Sequence, residues 1–217
     1  MSTEKKKNLV LINPPKSEKH KETSSGVWAF QIDTQENWAY WNEVFSPEEC
    51  KKIIEIGNKR QLLEASVGGE DKKLIVDKKL RETKISWIYP SEETAFIFRR
   101  VTDVMMEINK QYFNFDLFGF AEGFQFTRYD SPDGMYVAHM DKILHATPRK
   151  LSLTIQLSSP SDYEGGELMV HTGSSQAMDK SLGKLIAFPS YVMHEVKPVT
   201  KGTRYSLVAW LTGPAFK

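Results

Sequence analysis

Leu151-Ser152-Leu153-Thr154-Ile155-Gln156-Leu157-Ser158 alternates aliphatic and polar residues without a break. A strand turns successive side chains to opposite faces, so this period of two predicts a β-strand with one apolar face. Its polar face, Ser152, Thr154 and Gln156, has two readings. It meets solvent, as on a half-buried sheet, or it lines an internal cavity while the leucines pack on helices.

The texture stays β on both sides of this stretch. Phe118–Tyr129 is rich in aromatic residues, Ser131-Pro132-Asp133-Gly134 has the chemistry of a tight turn, and Tyr136–Asp141 resumes a strand. Downstream, Glu164-Gly165-Gly166 turns the chain, and Leu168–His171, Leu185–Phe188, His194–Val196 and Arg204–Leu211 read as further strands.

Helices precede the strands. Ser46-Pro47-Glu48-Glu49 combines a capping serine, a proline suited to the first helical position and acids suited to the positive end of the helix dipole. Cys50, Ile53, Ile54 and Ile56 follow at roughly helical spacing, predicting a helix over 47–60. Ser91-Glu92-Glu93 opens a second by the same logic, its apolar face running through Phe96, Ile97, Val101, Val104, Met105 and Ile108 to about Tyr112. Between them, Lys84–Ile88 reads as a strand. Residues 66–79 hold Gly68–Gly69 and many charges, reading as a loop or weak hairpin. That segment is a solvated loop by default and a candidate lid by its position. Two helices followed by many short strands predict a mainly β, α+β fold: a jelly roll with the N-terminal helices packed on one sheet.

The 217 residues suit one domain with a tail. We assign 1–26 to a polar N-terminal tail with basic clusters, holding at most one short strand at Leu9–Ile12, and 27–217 to the domain. Trp28, Phe30, Ile32, Trp38, Trp41, Val44 and Phe45 mark its onset. The formal net charge of +1, from 29 basic and 28 acidic residues, gives no electrostatic case for nucleic acid or an anionic membrane as partner. Cys50 is the single cysteine, which excludes an intrachain disulfide and a multi-cysteine metal site. No apolar run approaches the length of a membrane span, and the first residues lack a secretory apolar segment. The expectation is a soluble, cytoplasmic protein.

His139-Met140-Asp141 is an H-x-D step, and residues two apart on a strand point to the same side. The imidazole and carboxylate can therefore converge. His194, just past the strand end at Phe188-Pro189-Ser190, is the best third ligand. Two imidazoles and one carboxylate on one face leave three positions open, the arrangement of Fe(II) enzymes that hold a chelating cosubstrate and dioxygen together. Structural zinc takes four protein ligands, and no fourth is evident. Arg204 follows His194 by ten positions. An inward guanidinium binds a carboxylate bidentately, and Ser206 shares its strand face. A small α-keto dicarboxylate fits between metal and arginine. Either histidine alone reads more simply as an ordinary core or surface residue; the ordered set carries the ligand reading.

Tyr136-Val137-Ala138-His139-Met140-Asp141, Glu164-Gly165-Gly166-Glu167-Leu168, Phe188-Pro189-Ser190, His194-Glu195-Val196, Pro198-Val199, Gly202-Thr203-Arg204-Tyr205 and Trp210 together resemble the prolyl 4-hydroxylase-like branch of the 2-oxoglutarate/Fe(II) dioxygenases. The resemblance covers about residues 118–211, and the helix start at Ser46–Cys50 also looks like the entry of this branch. It implies a double-stranded β-helix, with His139, Asp141 and His194 as iron ligands and Arg204 on the C5 carboxylate of 2-oxoglutarate. It places Tyr129 where a tyrosine hydrogen-bonds 2-oxoglutarate, and Tyr136 near the substrate or metal. There are two departures. Arg204 stands where collagen-type members commonly have lysine, and Gln156 is the nearest position to a second 2-oxoglutarate-binding tyrosine of some members.

The resemblance implies Fe(II), 2-oxoglutarate and dioxygen as cofactors, with ascorbate a candidate reductant. The expected activity is hydroxylation of a prolyl or other residue in a peptide or protein, with succinate formed. The alternatives are the same chemistry on a small molecule, free amino acid or nucleobase, or an inactive binding module. Trp210 shares a face with Arg204 and is equally a pocket wall or a core residue. His171 and His145 read as surface or loop histidines before substrate contacts, and Glu195 as an outward side chain.

Overall fold

The computed structural model describes residues 36–68, 74–141 and 148–215. The expected tail, the short strand at Leu9–Ile12 and His145 lie outside them. In chain order the elements are β1 (Ala39–Trp41), α1 (Pro47–Lys59), β2 (Leu63–Glu64), β3 (Val67–Gly68), β4 (Leu74–Ile75), β5 (Arg81–Glu82), β6 (Lys84–Ile88), α2 (Ala95–Ile108), β7 (Gly119–Phe120), β8 (Phe124–Asp130), β9 (Gly134–His139), β10 (Arg149–Gln156), β11 (Tyr163–Gly165), β12 (Leu168–His171), β13 (Ser175–Ala177), β14 (Leu185–Pro189) and β15 (Met193–Thr212).

One long strand organises the rest. The reading of His194–Val196 and Arg204–Leu211 as separate strands is corrected: both lie on β15, which runs from Met193 to Thr212. Its first part pairs with β9 and β12 in a minor sheet. Its last part pairs with β8 and β10 in a major sheet ordered β1-β14-β10-β15-β8-β6-β2. All pairings are antiparallel, so the architecture is the expected jelly roll, with β15 tying its two sheets together.

The alternation at 151–157 decides which face of the major sheet is dry. Leu151, Leu153 and Ile155 of β10 and Leu207, Ala209 and Leu211 of β15 share one buried cluster with Cys50, Ile53 and Ile56 of α1 and Ile97, Val101, Val104 and Met105 of α2. Each buried aliphatic chain contributes about 1.5–3 kcal/mol. Gly57 sets how closely α1 approaches, because a Cβ there would collide with the Phe126 ring. Ser152, Thr154 and Gln156 point the other way and are buried too. Of the two readings for this polar face, burial rules out the solvent-facing one.

Helix α1 starts as expected. The Ser46 hydroxyl accepts from the Glu49 N–H at 3.3 Å, the Glu49 carboxylate accepts from the Ser46 N–H at 2.9 Å, and Pro47 takes the first turn. Helix α2 starts at Ala95, three residues later than a cap at Ser91 predicts. The Thr94 hydroxyl accepts from the Ser91 N–H at 2.9 Å and donates to the Tyr89 carbonyl at 2.7 Å. These bonds tie Ser91–Thr94 into a turn ahead of the helix. At its other end α2 runs into a π-helical turn, Asn109–Phe113, closed by Asn114 in the left-handed conformation at φ 52°. Within 66–79, β3 and β4 pair antiparallel as a separate two-stranded sheet. No helix among the described residues is long and apolar enough to cross a membrane.

Candidate functional site

His139 and His194 meet because β9 and β15 pair with these two residues directly opposite one another. Their ring centroids are 4.2 Å apart. Strand β9 ends at His139, so Asp141 sits just beyond it, not on it as the strand reading had it. Its carboxylate still reaches both rings, 3.4 Å from His194 Nε2 and 3.7 Å from His139 Nε2. All three candidate ligand atoms lie within 4.8 Å of one another.

The rings are oriented for ligation. His139 Nδ1 lies 2.8 Å from the Val137 carbonyl and His194 Nδ1 lies 3.0 Å from the Val192 carbonyl. A carbonyl can only accept, so each Nδ1 carries a proton and donates it, which leaves Nε2 of each ring facing the centre. Burial, with the neighbouring His194, pushes the His139 pKa down to about 4, so its ring is neutral near pH 7. Burial alone would raise the Asp141 carboxyl. The two imidazoles, the Trp210 indole and the Ser152 hydroxyl, which donates at 2.7 Å, outweigh it and hold the group below its ordinary value. The Trp210 indole acts here by proximity, since its Nε1 lacks a well-formed hydrogen bond.

A second cluster lies on the major sheet's inner face. Ser206 pairs with Gln156, Trp210 with Ser152 and Arg204 with Tyr129. Arg204 is 1% exposed, and its guanidinium sits 5.0 Å from the Tyr129 ring centroid. Arg204 Nε and Nη1, Ser206 Oγ, both amide atoms of Gln156, Tyr163 OH and Trp210 Nε1 are all buried without a hydrogen-bond partner among the described residues. A buried donor or acceptor left unpaired costs about 1–3 kcal/mol, more when charged. Arg204, Ser206, Gln156 and Trp210 share one face of the major sheet, and Tyr163 comes from β11.

Tyr163 is the residue that sequence reading missed. A Cβ on Gly166, at φ +63°, would lie 3.1 Å from Arg204 Cδ and 3.2 Å from Tyr163 Cε2. The glycine therefore leaves room for the arginine and tyrosine to approach on either side of it. The available signal was a tyrosine immediately before Glu164-Gly165-Gly166. Tyr136 stacks on His139 at 3.5 Å between centroids, near the metal candidates as expected. Trp210 lies beside Asp141 and under the Arg149 guanidinium, 3.7 Å from its centroid. His171 bonds Ser175 Oγ at 2.8 Å and lies 3.3 Å from Glu195, away from the triad. Glu195 also pairs with Lys197 at 2.8 Å and is no part of the ligand cluster.

Fold and site together define a class: a double-stranded β-helix carrying two histidines and one carboxylate at one vertex, with a buried arginine on the same strand as the second histidine. Residues 124–212 match the family described as the 2OG-Fe(II) oxygenase superfamily. A PKHD-type hydroxylase of Picosynechococcus is 43% identical over 88 residues, 40% of this chain and 40% of that protein. One of Delftia acidovorans is 36% identical over 94 residues, 40% of this chain and 41% of that protein. The chain thus spans about two fifths of the curated relatives it matches. Among solved structures, a Pseudomonas putida prolyl-4-hydroxylase superposes with a TM-score of 0.64 at 22% identity, covering 82% of this chain and 94% of that one. A Trichoplax adhaerens prolyl hydroxylase, in complex with a hypoxia inducible factor peptide fragment, gives 0.67 at 18%, covering 81% and 83%. These structures share the fold. The match to the 2OG-Fe(II) oxygenase superfamily thus lies over residues 124–212, and the fold is that of the prolyl 4-hydroxylases with which the chain superposes.

Proposed function

We propose that this protein is an Fe(II)- and 2-oxoglutarate-dependent dioxygenase that hydroxylates a prolyl or other residue of a peptide or protein. The carrying observation is the coincidence, along β15, of a histidine at a three-ligand vertex and an unpaired buried arginine.

The residues fit the implied groups. His139, Asp141 and His194 offer two imidazole lone pairs and a carboxylate, with Val137, Val192 and Ser152 fixing their orientation. The orphaned polar atoms of Arg204, Ser206, Gln156 and Tyr163 match a dicarboxylic ligand. When bound, iron(II), 2-oxoglutarate and dioxygen supply oxidative decarboxylation to succinate and carbon dioxide and insertion of one oxygen atom into a C–H bond. Arg204 would clamp the distal carboxylate, with Ser206, Gln156 and Tyr163 hydrogen-bonding around it and Tyr129 beneath the guanidinium. Ser152 and Trp210 would hold Asp141 ionised. Tyr136 would cover His139 and shape the substrate side. Ascorbate is the candidate reductant that maintains iron(II).

Full-length protein with Fe(II) and 2-oxoglutarate should form succinate and add a single oxygen to members of a proline-containing peptide set, read by mass. Absence of 2-oxoglutarate binding and of succinate would refute the proposal. Succinate formed with small molecules alone, and never coupled to a peptide, would move the substrate to the small-molecule class.

A further inference from the structure

Among the described residues only two arginines are buried, Arg204 at 1% and Arg81 at 8% exposure. Their settings are alike. Arg204 stands opposite Tyr129 in register, with its guanidinium 5.0 Å from that ring's centroid. Arg81, on β5, stands opposite Tyr136 of β9, with its guanidinium 4.5 Å from that ring's centroid. The same Tyr136 ring stacks on His139, so Arg81 is one ring away from the metal vertex.

Among the described residues Arg81 also has no anionic partner. Its Nε donates to the Thr83 hydroxyl at 2.9 Å, a neutral partner, and no carboxylate of the described residues lies within ion-pair distance. Other cations of the described residues are treated differently. Arg149, whose charge also reaches Tyr136, is neutralised by Glu122 through two bonds of 2.8 and 2.7 Å. Arg128, Arg100, Lys180 and Lys184 each have a carboxylate at 2.6–3.1 Å. A buried charge without a counterion is costly, and such groups concentrate where a ligand completes them. The proposed 2-oxoglutarate accounts for Arg204. Arg81 needs a second anion, at the substrate side of the metal.

We infer that the substrate carries a carboxylate close to the carbon that is oxidised, and that Arg81 is the residue that binds it. This inference rests on the dioxygenase reading and narrows its substrate class. The carboxylate comes either from an acidic side chain beside the target residue or from the free α-carboxylate of a C-terminal residue or amino acid. Arg81 is then a specificity determinant: it holds the substrate's anionic end while Tyr136 fills the space between that end and His139.

Matched probe pairs test this. One pair sets Asp against Asn beside proline in a peptide. A second sets a C-terminal prolyl peptide against its amide, and a third L-proline against L-prolinamide. Binding is read by calorimetry on full-length protein loaded with redox-silent Mn(II) and 2-oxoglutarate, and oxygen gain by mass with Fe(II). In at least one pair the carboxylate member should bind about tenfold or more tightly, and that pair identifies the source. Arg81→Gln should cut this preference to under about twofold, and Arg81→Lys should keep part of it. Equal treatment of acid and amide in every pair overturns the inference, as does a preference that survives Arg81→Gln. Should that variant not fold, the wild-type ratios decide alone. Failure here is separable from failure of the activity. If 2-oxoglutarate binds and is consumed while the pairs stay equal, only the role of Arg81 falls; if 2-oxoglutarate does not bind, the dioxygenase reading falls.

Discussion

The two faces of the major sheet are built from the same two strands and could hardly differ more. On the helix side, Leu151, Leu153, Ile155, Leu207, Ala209 and Leu211 interlock with α1 and α2, and stability is the product. On the inner side, Gln156, Arg204, Ser206 and Trp210 are equally buried yet keep polar atoms without partners. A fold optimised for stability alone would fill that side with aliphatic groups. The contrast is what the proposed function explains: a bound dicarboxylate would give these unpartnered groups their partners.

The largest test of this contrast is removal of a metal ligand. Alanine at His139, Asp141 or His194 should abolish 2-oxoglutarate turnover and weaken Mn(II) binding in calorimetry. Full turnover by the His139 variant would end the assignment. Next is the anion clamp. Arg204→Gln should raise the KM for 2-oxoglutarate by a hundredfold or so, about 3 kcal/mol, and Arg204→Lys by less.

The helix face should respond in stability instead. Leu153→Ala or Ile53→Ala should cost about 2–5 kcal/mol in denaturant unfolding, and Gly57→Ala about 1–3 kcal/mol through its clash with Phe126. The sharpest comparison is Gln156→Leu. Removing two orphaned polar atoms should stabilise the ligand-free protein by about 1 kcal/mol while weakening 2-oxoglutarate binding. A loss on both counts would show that the glutamine is structural.

The smallest effects are in titration. Burial, aided by Glu49 and Glu48, pushes the Cys50 thiol up to about 12. The folded protein therefore keeps it neutral, and iodoacetamide at pH 8 should label it only after unfolding. Asp179 is lowered to about 2: burial would raise it, but Lys184 and Ser181 hold the carboxylate. Its folded pKa lies below the unfolded one, so its contribution is whole above about pH 4 and disappears as pH falls toward 2. Its carboxylate is half exposed, so Asp179→Asn should change acid stability by no more than about 1 kcal/mol.

Much of this was legible in the residues. Period-two alternation at 151–157 gave the strand and its dry face. The Ser46-Pro47-Glu48-Glu49 signal gave α1 to within one residue at its end. The order His139, Asp141, His194 picked out three side chains that the fold brings together, with Arg204 buried on the strand of His194. Ser91 misled because its capping chemistry is real but local, and the Thr94 hydroxyl diverts it into a turn. The division of 194–211 into two strands is overturned because one strand runs from Met193 to Thr212, its register against β9 shifting on the way, and serves both sheets.

Residue identity and periodicity alone determined which side chains are apolar, which alternate and which bind metals or anions, because these are local properties of a chain with two soft torsions per residue. Tertiary structure decided which of them share a cavity. Tyr163 and Arg81 are unremarkable in sequence, since a tyrosine before a glycine turn and an arginine among charges signal nothing by themselves. Only strand pairing across long sequence separations brought one beside Arg204, with its hydroxyl unpartnered among the described residues, and the other above Tyr136, with the Thr83 hydroxyl as its neutral partner.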